Sequence, residues 1–144
     1  MRDYKSLAHT RWDCKYHVVF IPKKRQKLIY GHLRKFLGEV FHELSARKGC
    51  KIEEGHLMKD HVHMCISVPP KYAVSNVVGY IKGKSAIAIA RQFGKRTRNF
   101  TGENFWARGY CVSTVGLDEQ LIREYIRNQE KEERRQEQMR LAGL

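Results

Sequence analysis

The segment His61-Val62-His63-Met64-Cys65-Ile66-Ser67-Val68 is the part of the chain richest in possible chemistry. Read as a strand, it sends Val62, Met64, Ile66 and Val68 to one face and His61 and His63 to the other. The two imidazoles then stand close enough to share one metal ion. Imidazole suits Mn, Zn and Co, and Mg where oxygen ligands complete the sphere. Taken alone, H-x-H more often marks two ordinarily hydrogen-bonded histidines. The second candidate lies near the C-terminus, where Leu121-Ile122-Arg123-Glu124-Tyr125-Ile126-Arg127-Asn128-Gln129 reads as helix. Tyr125 and Gln129 fall one turn apart on the same face. A phenol can attack phosphorus if nearby positive charge lowers its pKa from about 10, and the carboxamide oxygen of Gln129 could be a third metal ligand. On periodicity alone, a tyrosine packed on Ile122 beside a solvated glutamine is the commoner arrangement.

The elements that must position these residues follow from the hydrophobic pattern. Cys14 to Ile21 reads as a strand stopped by Pro22. After the basic loop Lys23-Lys24-Arg25-Gln26-Lys27, the residues Ile29, Leu33, Phe36, Leu37, Val40, Phe41 and Leu44 recur at helical spacing, ending near Lys48-Gly49. Lys51 to Met58 and His61 to Val68 predict an antiparallel hairpin about Lys59-Asp60, closed off by Pro69-Pro70. A second helix is predicted over Val74 to Phe93, with Val74, Val77, Val78 and Ile81 on its apolar face. Gly79 and Gly83 inside it each cost roughly 1 kcal/mol relative to Ala, which suggests close approach of another backbone, a packed element before a nucleic acid. Tyr110 to Val115 reads as a fourth strand, and a final helix opens near Asp118. The compact solution is an α+β fold of split βαβ type (ferredoxin-like or RRM-like). It has a four-stranded antiparallel sheet with two helices on one face, plus a C-terminal helix carrying the candidate nucleophile Tyr125. One domain over residues 1–144 is expected, with no internal repeat or linker.

Composition narrows the partners. The 144 residues hold 28 Lys and Arg against 15 Asp and Glu, a formal charge of +13. Such an excess repels itself and favours a polyanionic partner. No apolar run is long enough for a membrane span, and the N-terminus lacks a secretory signal pattern, so a cytoplasmic location is expected. Cys14, Cys50, Cys65 and Cys111 are scattered without a C-x-x-C pair and read as buried reduced thiols. Basic clusters at Lys23, Lys24 and Arg25, at Lys82 and Lys84, and at Lys95, Arg96 and Arg98 are candidates for nucleic-acid binding. Trp12, Tyr72 and Trp106 are possible stacking platforms. Solvated lysines and a core Trp106 are the plainer alternatives.

Motif order adds a resemblance that spans nearly the whole chain. Tyr16-His17-Val18-Val19-Phe20 with Pro22-Lys23 resembles the first strand of the HUH single-tyrosine transposases of the smallest bacterial and archaeal insertion sequences. Met58-Lys59-Asp60-His61-Val62-His63, followed by Ser67-Val68-Pro69-Pro70-Lys71-Tyr72, resembles that family's HUH strand and exit loop. Ile81-Lys82-Gly83-Lys84-Ser85 is similar to its second-helix segment, and Phe105-Trp106-Ala107-Arg108-Gly109-Tyr110 with Ser113-Thr114-Val115-Gly116 to its fourth-strand segment. Tyr125 with Asn128-Gln129 is similar to its nucleophile helix.

The resemblance implies that His61, His63 and Gln129 hold a divalent metal, Mg or Mn, and that Tyr125 is the nucleophile. It implies single-stranded DNA with terminal hairpins as substrate. It also implies a homodimer in which the tyrosine helix of one subunit can complete the other's site. A domesticated relative that processes hairpin repeats, related to the REP-associated tyrosine transposases, is the alternative within the same chemistry. A non-catalytic nucleic-acid-binding module on the same fold is the alternative outside it. The expected outer face carries His61 and His63 where such a module would carry aromatics.

Overall fold

The computed structural model describes residues 5–7, 10–94, 105–114 and 119–141, with side chains over 12–94, 105–114 and 124–135. Lys95, Arg96 and Arg98, and the connection Gly116-Leu117-Asp118, lie outside the described residues. The first described elements are β1 (Lys5–Leu7) and β2 (Thr10–Trp12), a small antiparallel pair that the polar lead gave no sign of. The main elements then follow as β3 (Lys15–Phe20), α1 (Gly31–Arg47), β4 (Lys51–Met58), β5 (His61–Ser67), α2 (Val74–Phe93), β6 (Cys111–Ser113) and α3 (Glu119–Leu141). The sheet order is β4-β5-β3-β6, every neighbouring pair antiparallel. The order is that of the split βαβ arrangement expected from the sequence.

One face of this sheet supplies Val18, Phe20, Val62, Met64 and Ile66 to a core completed by the helices. From α1 come Leu33, Leu37, Phe41 and Leu44, spaced three and four residues apart on one stripe. Helix α1 stops where Gly49 takes φ +66, a left-handed position that glycine fills without a Cβ clash. From α2 come Val77, Val78, Ile81, Ala86 and Ile89. Ser85 is also buried there and is satisfied twice, its Oγ donating to the Lys82 carbonyl and accepting from Trp106 Nε1, each at 3.0 Å. Trp106 is thus a core residue, packed edge-on against Phe20 and Phe105, and not a stacking platform. Trp12 is buried too, while Tyr72 stays at the surface near the ammoniums of Lys48 and Lys71.

The hairpin is as predicted, with Lys59-Asp60 as its two-residue turn, but β4 carries a bulge between Ile52 and Glu54. The extra residue resets the alternation. Ile52 lies across from Ile66, and past the bulge His56 lies across from His63. Gly79 and Gly83 differ from the expectation of a packed neighbour. Both are exposed on α2, and a Cβ at either would meet nothing within 4 Å. Of the four free cysteines only Cys50 is fully buried, and the other three are half-buried.

Candidate functional site

His61 and His63 emerge on the sheet face opposite α1 and α2, as the alternation required, because Val62, Met64 and Ile66 are claimed by the core. His61 Nδ1 lies 2.9 Å from Asp60 Oδ1. An ionised carboxylate can only accept, so Nδ1 carries the proton and the ring's lone pair lies on Nε2. His63 sits between two more imidazoles, His17 from β3 and His56 from β4, with ring centroids 5.6 and 5.7 Å away. His17 Nδ1 is 3.4 Å from His63 Nε2. Burial, then the charges of His17 and His56, lower the pKa of His63, which keeps it neutral as a ligand must be.

Asp60 answers to opposing influences. Burial pushes its carboxyl up, but hydrogen bonds from His61 and Arg25 prevail and hold it below the usual range. Arg25 Nε lies 3.0 Å from Asp60 Oδ2, and Arg25 Nη1 lies 3.3 Å from Glu130 Oε2 on α3.

Helix α3 docks through a small apolar cluster of its own, in which Ile126 meets Ile21 and Ala107 with Tyr125 packed alongside. Ile21 keeps the parity of His17 and Val19, so α3 lies toward the histidine face and not the helix face. Polar contacts reinforce the docking: Glu133 accepts from the Lys24 backbone amide, and Gln129 Nε2 donates to the Arg108 carbonyl. The same Gln129 nitrogen is 3.4 Å from the Tyr125 hydroxyl, which leaves Oε1 as the group's acceptor. Burial raises the Tyr125 pKa above 10, against the lowering by the Gln129 hydrogen bond. Acidification by surrounding positive charge, the condition under which a resting phenol would attack, is not met: burial wins, and the resting hydroxyl is protonated at neutral pH.

The receptor for α3 is the segment 105–110, laid against the end of β3. Lys23 N donates to Phe105 O at 2.8 Å, Ala107 N to Ile21 O at 2.9 Å, and Lys82 Nζ to the carbonyls of Ala107 and Gly109 at 2.8 and 2.6 Å. Lys82, a nucleic-acid candidate in the sequence, therefore commits its ammonium to backbone oxygens, and burial brings its pKa down from 10.5 to about 8. Lys24 and Lys84 are exposed, Lys23 is half-buried, and Arg25 is shared between two carboxylates.

Among the described residues no three His, Cys, Asp or Glu side chains converge as a metal cluster. The residues that could hold a metal are the two imidazoles of His61 and His63 and the amide oxygen of Gln129. Two imidazoles with one nitrogen lone pair directed by Asp60, and a carboxamide oxygen not spent on an acceptor's partner, suit a divalent cation of the Mg or Mn kind. The structure pairs His61 with His63 and Tyr125 with Gln129. Arg25 links the two pairs through the neighbours Asp60 and Glu130. A groove of about 640 Å³ lies elsewhere, between α1 and β4, lined by Arg34, Lys35, Glu39 and His42 among others.

Sequence reasoning missed His17, His56, Asp60 and Glu130. His17 and Asp60 stood inside quoted motifs without a role, and the bulge hid the alignment of His56.

A family model described as transposase IS200 like matches residues 10–129. The chain belongs to the IS200-like transposase family. The transposase for insertion sequence element IS200 of Salmonella typhimurium is 44% identical over 139 residues, covering 96% of this chain and 91% of that one. The ISDra2 transposase TnpA of Deinococcus radiodurans is 27% identical over 123 residues, 85% of this chain and 88% of that one. In structure, a crystal structure described as a transposase of Deinococcus radiodurans R1 superposes with a TM-score of 0.78 at 24% identity, covering 87% and 97% of the two chains. A REP-associated tyrosine transposase bound to a REP hairpin gives 0.53 at 13%, covering 88% and 68%. These two likenesses concern the fold. No helix among the described residues is long and apolar enough to cross a membrane.

Proposed function

We propose that this IS200-like transposase cleaves and rejoins single-stranded DNA at hairpin-marked element ends through a 5′-phosphotyrosine on Tyr125, with a divalent metal held by His61, His63 and Gln129. The observation that carries the reading is the docking of the Tyr125–Gln129 turn toward the sheet face from which both histidines project. In the first step the Tyr125 oxygen forms a bond to phosphorus as the bond to the 3′ oxygen breaks. The phenolic proton leaves Tyr125, and the departing strand ends as a 3′-hydroxyl. One phosphodiester replaces another, so a second strand's 3′-hydroxyl can reverse the step and seal a new junction without ATP. A bound cation would withdraw charge from the phosphate and align it. His63, kept neutral by burial and its neighbours, would hold that cation together with His61.

A net charge of +13 suits a polyphosphate track, with exposed Lys24 and Lys84 on its surface. The substrate end must be shielded from water while the adduct persists, which is a reason for two copies of the chain to act together as a homodimer. The 44% identical relative is an insertion element's own transposase, which favours self-mobilisation over repeat processing. Tyr125→Phe tests the reading, since it removes only the hydroxyl. Wild type with Mn²⁺ should form a denaturant-resistant adduct with a labelled hairpin oligonucleotide, and the Phe variant should bind the hairpin equally but form none. An adduct on the Phe variant would move the nucleophile elsewhere.

A further inference from the structure

Arg25 stands where the backbone is unusual. Lys24 and Arg25 follow one another at φ +59 and +52, in the left-handed region that residues with a Cβ seldom adopt. Such backbone persists where its surroundings over-determine it, and it concentrates at functional sites. The consequence here is an exact aim for one side chain. Arg25 Nε reaches Asp60 Oδ2 at 3.0 Å while Nη1 reaches Glu130 Oε2 at 3.3 Å. The other oxygen of Asp60, Oδ1, is taken by His61 Nδ1 at 2.9 Å. Glu130 directly follows Gln129 and stands five residues after Tyr125. Arg25 is about 40% exposed, and pairs so open to water add little to stability. Their value lies in geometry: a guanidinium presents diverging donors in a fixed plane, which a lysine cannot.

We propose that Arg25 is a positioning residue for strand cleavage. Through Asp60 it sets the tautomer and orientation with which His61 meets the metal, and through Glu130 it holds the Tyr125 helix in register with that histidine. The proposal rests on the function proposed above. It also reassigns Arg25, a phosphate contact by sequence, to the architecture of the site. Carboxylates and their supports behind a metal histidine typically change affinity or activity about 10- to 100-fold when removed.

The test separates the two arms of Arg25. Mn²⁺ is titrated calorimetrically into DNA-free protein, adduct formation is timed at saturating Mn²⁺, and the His61 imidazole nitrogens are observed by ¹⁵N NMR in metal-free protein. Wild type should show His61 protonated on Nδ1. Asp60→Asn and Arg25→Gln should weaken Mn²⁺ binding about 10- to 100-fold and mix the tautomers. Glu130→Gln should leave Mn²⁺ affinity and tautomer unchanged but slow adduct formation, with little change in the DNA concentration needed for half-maximal rate. Arg25→Lys, which keeps the charge but not the fork, should stay impaired in both. If Arg25→Gln binds Mn²⁺ and keeps the tautomer as wild type does, while losing DNA affinity that Arg25→Lys restores, Arg25 is a phosphate contact and the proposal is wrong. If wild type itself neither binds Mn²⁺ nor forms an adduct, the function proposed above fails, and this role fails with it.

Discussion

Ile126→Ala tests how the nucleophile is carried. Ile126 is 5% exposed and is the residue through which α3 enters the small cluster with Ile21 and Ala107. Truncating a buried isoleucine to alanine costs about 2–5 kcal/mol. A three-residue cluster at the edge of the fold can collapse partly, so about 2–3 kcal/mol is the better figure. Other tethers include the amide of Lys24 on Glu133, Arg25 on Glu130, and Gln129 on the Arg108 carbonyl. Surface pairs of this kind contribute about 0–1 kcal/mol each, so they cannot replace the lost packing. Among the residues whose side chains are described, the main core contains none from α3. The loss should therefore fall on docking and not on global folding. At a factor of ten per 1.4 kcal/mol, the undocked population rises about 30- to 150-fold. Amide hydrogen exchange across α3 should accelerate by that factor while β5 amides keep their protection. The urea midpoint, followed by tryptophan fluorescence from buried Trp106, should hardly move, and adduct formation should fall with Mn²⁺ affinity retained. A urea midpoint lowered by the full loss, or unchanged exchange in α3, would refute the reasoning.

Lys82 makes stability pH-dependent. Its folded pKa of about 8 lies below the ordinary 10.5, so the unfolded chain binds more protons between those values and stability rises with pH across that window. The gain is at most about 3 kcal/mol, and about half that once partial solvent access is allowed; Lys82→Met should flatten this part of a urea-midpoint profile, and an equal slope in both proteins would exclude Lys82 as its source. Gly109→Ala should be destabilising by about 1–2 kcal/mol, because Gly109 sits at φ +79 and its new Cβ would come 3.3 Å from Gln129 Nε2. It should also slow adduct formation while hairpin affinity holds, and a variant as fast as wild type would remove Gln129 from the site. On the homodimer proposed above, mixing Tyr125→Phe with the His61→Ala, His63→Ala double variant should restore adduct formation, with the small cluster around Ile126 re-forming between the two copies. A silent mixture with proven subunit exchange would confine each site to one chain.

The sequence by itself determined the parts of this molecule that depend on period and local chemistry. Alternation over residues 61–68 separates the core valine, methionine and isoleucine from the histidines, because strand side chains switch faces at every step. The helical stripe of Leu33, Leu37, Phe41 and Leu44, and the one-turn spacing of Tyr125 and Gln129, follow from 3.6 residues per turn in the same way. The two-residue turn at Lys59-Asp60 and the split βαβ order were legible for that reason. What brings distant residues together has no period, and only tertiary structure decided it. The bulge after Ile52 turns His56 toward His63, a matter of one residue of register. The partners of Lys82 and Arg25 were set by acceptors 25 to 27 and 35 to 105 positions away, so two basic residues of the same apparent kind became a half-buried clamp on carbonyls and a bridge between carboxylates. The protonation of Tyr125 likewise follows from what buries it, because desolvation is a property of the packed neighbourhood and not of the residue or its spacing.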